Sequence, residues 1–251
     1  MLAAELTAEP SWQAVDFISD LHLQASETDT FNAWQRYMQT TPADAVFILG
    51  DLFEVWVGDD ALLTGSFEEQ CAQVIQQTSN RVPTFFMHGN RDFLVGQGLM
   101  DAAGMTLLAD PTMLTFKQQR WLLSHGDALC IDDTAYMAFR QQVRSLSWQS
   151  SFLAKPLAER QTIARGLREQ SEARKQSALA SIDVDSPTAC QWLHAAHAQT
   201  LIHGHTHKPR DHELPGGLQR VVLSDWDCLS IPPRAEVLRL TAVGLQRIAL
   251  V

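Results

Sequence analysis

The sequence predicts an α/β fold that collects its chemistry at the ends of strands. Three observations carry that expectation. Short apolar runs of strand length alternate with segments of helical periodicity. Five of the runs stop at a corner holding Gly, Asp, Asn or His. The stretch from about 133 to 180 lacks strand patterns and, apart from Gly166, glycine punctuation, so it reads as helices. Ligands of open α/β sheets bind outside the carboxyl ends of the strands, so five polar ends imply one shared site.

The elements follow in order. Residues 12–18 read as a strand that breaks at Ser19-Asp20-Leu21-His22. Phe31, Trp34 and Met38 recur at helical spacing within 28–39. Ala45 to Leu49 is a continuous apolar run, suited to a buried strand, and it ends in Gly50-Asp51. Ser66-Phe67-Glu68-Glu69 has the form of a capping box, opening a helix with Phe67, Cys71, Val74 and Ile75 on one face. Thr84 to Met87 is a strand ending in His88-Gly89-Asn90-Arg91-Asp92. Two strand-like segments flank a polar turn at 117–120, and the second runs into His125-Gly126-Asp127. Thr200-Leu201-Ile202 runs into His203-Gly204-His205-Thr206-His207. From about 212 the chain reads as hairpins around Pro215-Gly216-Gly217 and Gly244. The expected organisation is a core of 1–132 and 181–251 carrying a helical cap insertion at 133–180.

The 251 residues suffice for one core with a small insertion. Acids outnumber bases 29 to 19, which argues against a general nucleic-acid binder. The insertion is the exception. Residues 140–175 hold Arg140, Arg144, Lys155, Arg160, Arg165, Arg168, Arg174 and Lys175 against Glu159, Glu169 and Glu172, a local charge of +5 that leaves −15 for the rest. Trp148, Phe152 and Leu157 lie among these charges, either to meet an anionic membrane surface or to pack the insertion on the core. Four scattered cysteines form no metal or redox motif and suit a reducing, intracellular compartment. The N-terminal stretch does not read as a secretory signal, and there is no run of about 18 apolar residues to suggest a membrane span.

The corners together offer Asp20, His22, Asp51, Asn90, His125, His205 and His207. Any one has an ordinary explanation: Asp51 and Asn90 as turn residues beside glycines, His125 as a hydrogen-bonded interior ring. Seven hard or borderline donors at strand ends, with no thiolate, suit Mn²⁺, Fe²⁺, Zn²⁺ or Mg²⁺. They exceed what one ion needs and fit two ions about 3.5–4 Å apart. Asp51, following the most apolar run, is the natural shared ligand. Asp20-x-His22 and His205-x-His207, if extended, would each point both side chains to one side.

These corners, Asp20-Leu-His22, Gly50-Asp51, Gly89-Asn90-Arg91-Asp92, His125-Gly126-Asp127 and Gly204-His205-Thr206-His207, resemble the calcineurin-like metallophosphoesterase superfamily. The longer strings GDLFEVWVGDD at 50–60, HGNRDFL at 88–94, HGDALCIDD at 125–133 and LIHGHTHKP at 201–209 resemble its branch acting on UDP-2,3-diacylglucosamine in lipid A biosynthesis. The resemblance implies a four-layer α/β/β/α sandwich and two divalent ions, Mn²⁺ first among them. One ion would take Asp20, His22, Asp51 and His207, and the other Asp51, Asn90, His125 and His205. Asp51, Arg91 and His205 would be catalytic. Asn90, Arg91, Asp133 and His205 would bind the substrate, Arg91 at the phosphate and Asp133 at the sugar. The reaction implied is pyrophosphate hydrolysis to UMP and a lipid phosphate, by an enzyme peripheral to the cytoplasmic face of the inner membrane. A Ser, Asn and Lys set that the branch carries in the insertion is absent: those places hold Gln170, Arg174 and Ser177. The rivals are a soluble nucleotide pyrophosphatase or phosphodiesterase, a nuclease, which the net charge of −10 disfavours, and a non-catalytic scaffold.

Overall fold

The computed structural model describes residues 3–177 and 183–251, with the side chains of 169–177 excepted. The chain runs through β1 (Ala4–Thr7), β2 (Ala14–Ile18), α1 (Thr28–Thr40), β3 (Ala45–Leu49), α2 (Phe67–Ser79), β4 (Thr84–Met87), α3 (Gln97–Ala103), β5 (Thr106–Leu108), β6 (Thr112–Phe116) and β7 (Gln119–Ser124). Then follow the helices α4 (Thr134–Val143), α5 (Leu146–Leu153), α6 (Leu157–Ser177) and α7 (Ser186–Ala195). The chain ends with β8 (Thr200–His203), β9 (Arg210–Leu214), β10 (Leu218–Val222), β11 (Glu236–Thr241) and β12 (Gly244–Ala249).

The strands form two six-stranded sheets, ordered β12-β11-β2-β3-β4-β5 and β1-β6-β7-β8-β10-β9. Strand β3 explains the layering. All five of its side chains are buried, and successive side chains point to opposite faces. Ala45, Phe47 and Leu49 enter the core between the sheets, with Leu114, Phe116, Leu123, Ile202 and Val221. Val46 and Ile48 enter a second core with Trp34 and Met38 of α1 and Ile75 of α2. On the far side, Leu122 and Leu201 meet Ala189 and Leu193 of α7. The result is the expected α/β/β/α sandwich. Register fixes its centre: Phe17, Phe47 and Phe85 are aligned partners on β2, β3 and β4. The Phe47 and Phe85 rings stack at 4.7 Å.

Local signals worked where the chemistry was local. Ser66 Oγ accepts from the Glu69 N–H at 3.1 Å, as a capping box requires, but Glu69 returns its carboxylate to the Gly65 N–H at 2.6 Å. The polar turn tightens to Lys117-Gln118, both left-handed, as a two-residue hairpin needs.

Helices α4 to α6 form the segment expected to be helical. Trp148 stacks on Phe152 at 4.7 Å and approaches Phe93 at 6.2 Å. With Leu157 these rings pack against the helix-side core. Four of the segment's basic side chains turn toward the sandwich rather than toward a membrane surface. Arg160 is 2% exposed and bonds the Val57 carbonyl and Asp60. Arg140 reaches Asp127, Arg144 the Gly89 carbonyl, and Arg168 Glu54. Of the acids that receive these cations Asp127 and Glu54 are buried and Asp60 is exposed, while Lys155 pairs with Glu159 inside the segment. Gln170, Arg174 and Ser177 fall where side chains are outside the described residues.

Truncating Phe47 to Ala removes the middle ring of this ladder. It should lower the unfolding free energy by about 3–5 kcal/mol in a urea titration.

Candidate metal centre

The five polar corners come from both sheets. Strands β2, β3 and β4 deliver Asp20, His22, Asp51 and Asn90, and strands β7 and β8 deliver His125, His205 and His207. The His125 ring Nδ1 is 2.9 Å from the Leu49 carbonyl across the gap between the sheets, and the Gly204 N–H donates to the His125 carbonyl at 3.0 Å. The site therefore lies where the carboxyl ends of two facing sheets converge, rather than along one edge.

The extended Asp-x-His geometry is not what forms. Asp20, His22, Asp51, His205 and His207 all have positive φ, between 49° and 68°. Non-glycine residues adopt this region rarely, at a cost of order 1–3 kcal/mol each. Left-handed kinks, rather than strand alternation, turn these side chains inward. Backbone bonds hold the kinks: the Asp20 N–H donates to the Gly50 carbonyl at 3.1 Å, and the Leu21 and His22 N–H groups to the Asp51 carbonyl at 2.9 and 3.1 Å. The Asp92 carboxylate accepts from the Gly89 and Leu52 N–H groups, both at 2.8 Å. Two glycines leave the space required. A Cβ on Gly89 would stand 2.0 Å from Asp51 Oδ1, and one on Gly204 2.2 Å from Asp20 Oδ2.

All seven side chains are brought together. Asp20 Oδ1 lies 3.4 Å from His207 Nε2, and His22 Nε2 lies 3.2 Å from His207 Nε2. Asn90 Oδ1 lies 3.0 Å from His125 Nε2 and 2.7 Å from His205 Nδ1. Asp51 Oδ1 is 3.7 Å from His125 Nε2. Two sets have ligand atoms close enough for an ion: Asp20, His22 and His207, and Asp20, Asp51 and His125. Asp20 is common to both sets, whereas Asp51, expected to be the shared ligand, belongs to the second alone. Arg91 is adjacent, its Nε 3.7 Å from Asp51 Oδ2. Asp133 caps α4, accepting from the Tyr136 N–H at 2.9 Å.

The groups fit a divalent ion. An ion held at about 2.1 Å has neighbouring ligand atoms roughly 3.0–3.4 Å apart, the range of the His22, His207 and Asp20 contacts. Asp20 Oδ1 is buried without a well-aligned hydrogen-bond donor. The charges agree. Burial pushes the Asp20 carboxyl up, but His207, His125 and His22 overcome it and leave it below the usual range. Burial and the Asp20 charge raise Asp51. Burial disfavours a charged His125, yet Asp51, Asp20 and Asp127 carry it up to about 9. Burial and the His125 charge push His205 down to about 3.

Several working residues were missed. Asp127 accepts from the Tyr136 hydroxyl at 2.6 Å and from Arg140 Nε at 2.7 Å, and the Tyr136 ring stacks on His205 at 5.8 Å. The carboxylates of Glu54 and Asp225 face Nδ1 of His22 and of His207, at 3.5 and 3.7 Å. Asp92 and Asp127 lie inside the corner motifs. Spacing cannot separate a carboxylate that holds backbone amides from one that faces the centre.

A calcineurin-like phosphoesterase family model matches residues 14–209. The chain belongs to the calcineurin-like phosphoesterase family. As a phosphoesterase it is a hydrolase, and the family implies divalent metal ions, for which the two side-chain groups above are candidate holders. Among its relatives, a Chromobacterium violaceum protein named UDP-2,3-diacylglucosamine hydrolase is 46% identical over 220 residues, covering 85% of this chain and 90% of that one. Proteins of the same name from Chromohalobacter salexigens and a Shewanella strain are 44% and 43% identical. They cover 83% and 84% of this chain and 87% and 88% of their own lengths.

Gly89→Ala should displace Asp51 and empty the centre without unfolding the sandwich. After dialysis against Mn²⁺, elemental analysis should find less metal than in the unaltered protein, with an unchanged far-UV circular dichroism spectrum.

Proposed function

We propose that this phosphoesterase hydrolyses the pyrophosphate bond of UDP-2,3-diacylglucosamine, giving UMP and 2,3-diacylglucosamine 1-phosphate. The observation that carries the reading is the 43–46% identity, over most of both chains, to relatives bearing that name. The convergence of the seven donors supports it chemically. Asp20, His22, Asp51 and His207 would hold one ion, and Asp51, Asn90, His125 and His205 the other. Ions held there would acidify a water molecule and neutralise phosphoryl charge; we assign Mn²⁺ as the metal.

The remaining work falls to the chain. Arg91 carries a guanidinium at the edge of the centre, paired with Glu54 at 3.1 Å, and offers planar donors to the phosphoryl oxygens where negative charge builds. Asn90 and His205 border the same oxygens. His205 is held neutral by burial and by His125, so its part is to bind and orient. The proton needed by the departing phosphate comes from water. Asp133 faces the sugar while its carboxylate caps α4. The 133–180 segment acts as a cap over the acyl chains.

Membrane contact belongs to the same proposal. Leu146 is 83% exposed and Leu153 is 41% exposed on α5, an apolar edge suited to an anionic bilayer surface. No helix among the described residues is long and apolar enough to cross a membrane. Cys71, Cys130, Cys190 and Cys228 are free thiols, in keeping with the cytoplasmic face.

The decisive assay is release of UMP from UDP-2,3-diacylglucosamine with Mn²⁺, in competition with soluble dinucleotides. Preference for the lipid substrate is expected, and preference for the dinucleotides would favour a soluble pyrophosphatase. Arg91→Ala should lower kcat by roughly 10²–10³-fold, the loss of one charge-stabilising group, with the metal content retained.

Flotation with anionic vesicles should weaken when Leu146 becomes Asp. Equal binding by both proteins would remove the membrane reading.

A further inference from the structure

Glu54 is a buried acid outside the donor set. It follows the bridge that pairs Leu23 with Phe53, and its N–H donates to the Leu23 carbonyl at 3.1 Å. Its side chain is 11% exposed and receives groups from three parts of the fold. Oε2 stands 3.5 Å from His22 Nδ1. Oε1 accepts from Arg91 Nη1 at 3.1 Å. Arg168 of α6 brings its Nη2 to the same oxygen.

We propose that Glu54 is a positioning residue, one carboxylate that orients His22, restrains Arg91 and ties helix α6 to the centre. The inference rests on the reading given under Proposed function. Three physical arguments support it. First, a metal-binding imidazole usually gives its second N–H to a carboxylate, which fixes the tautomer and the ring plane. Glu54 is the carboxylate that faces His22 Nδ1, at 3.5 Å and short of a formed hydrogen bond, while Nε2 faces His207 at 3.2 Å. Asp225 stands in the same relation to His207.

Secondly, Arg91 already lies 3.7 Å from Asp51 Oδ2, and its backbone N–H donates to Asp51 Oδ1 at 2.8 Å. Deprived of Glu54, the guanidinium has Asp51 as its nearest anion. It would then compete with metal for that carboxylate and withdraw from the phosphate. Thirdly, Arg168 arrives from the helical segment, so the ion pair sets that helix relative to the reacting centre. Arg168 is 27% exposed there, so its partly desolvated guanidinium gains from the anionic partner.

The test uses the isosteric variant Glu54→Gln, the variant Arg91→Ala and the double variant. Mn²⁺ is titrated calorimetrically into the metal-free protein, and kcat and KM are measured on UDP-2,3-diacylglucosamine. Glu54→Gln should bind Mn²⁺ about 10–100-fold more weakly and should lose kcat at saturating Mn²⁺. Its metal-free Tm should stay close to that of the unaltered protein. Because part of the effect passes through Arg91, adding Glu54→Gln to Arg91→Ala should cost less kcat than it does alone. The loss of Mn²⁺ affinity, passing through His22, should persist in the double variant. Unaltered Mn²⁺ affinity and kcat in Glu54→Gln, or a lowered Tm with both unaltered, would overturn the inference. If the unaltered protein binds Mn²⁺ but leaves the lipid substrate uncleaved, the substrate reading fails, and the titration still decides the role of Glu54.

Discussion

The structure depends on a junction between two sheets at their carboxyl ends. The contact of the His125 ring with the Leu49 carbonyl, at 2.9 Å, spans it, and the aromatic ladder of Phe17, Phe47 and Phe85 sets the spacing behind it. A packed interior does not deform continuously. Three donor-bearing corners on one sheet therefore meet two on the other at a fixed separation. Neither sheet alone presents a complete set.

That convergence is paid for in backbone strain. Five donors occupy left-handed φ values, each costing of order 1–3 kcal/mol. Several buried carboxyl and imidazole groups, Asp20, Asp51 and His125 among them, face one another in the interior. The surrounding bonds over-determine the kinks, with Asp92 holding the amides of the Gly50 and Gly89 corners. A cation bound among them would relieve the electrostatic part, because the donors are already oriented. Rigidity here is a means of keeping repelling groups together.

Much of this was legible in the sequence. The apolar run of β3, the Ser66 cap and the glycines beside Asp51 and Asn90 are local signals with local causes, and they located the elements and the donors. Three features were not legible. The partition of the five corners between two sheets is a long-range matter of strand pairing. The left-handed kinks at Asp20 and His22 depend on tertiary hydrogen bonds that no spacing encodes. The destination of the basic residues after 133 depends on acids far away in sequence: Arg160 looks like a surface charge until Asp60 and the Val57 carbonyl are placed beside it.

The most direct measurement is anomalous diffraction at the manganese edge from crystals grown with Mn²⁺. Two peaks about 3.5–4 Å apart, bordered by Asp20 and Asp51, are the result that the account predicts. A single peak elsewhere on the protein, with these side chains in contact only with one another, would contradict it.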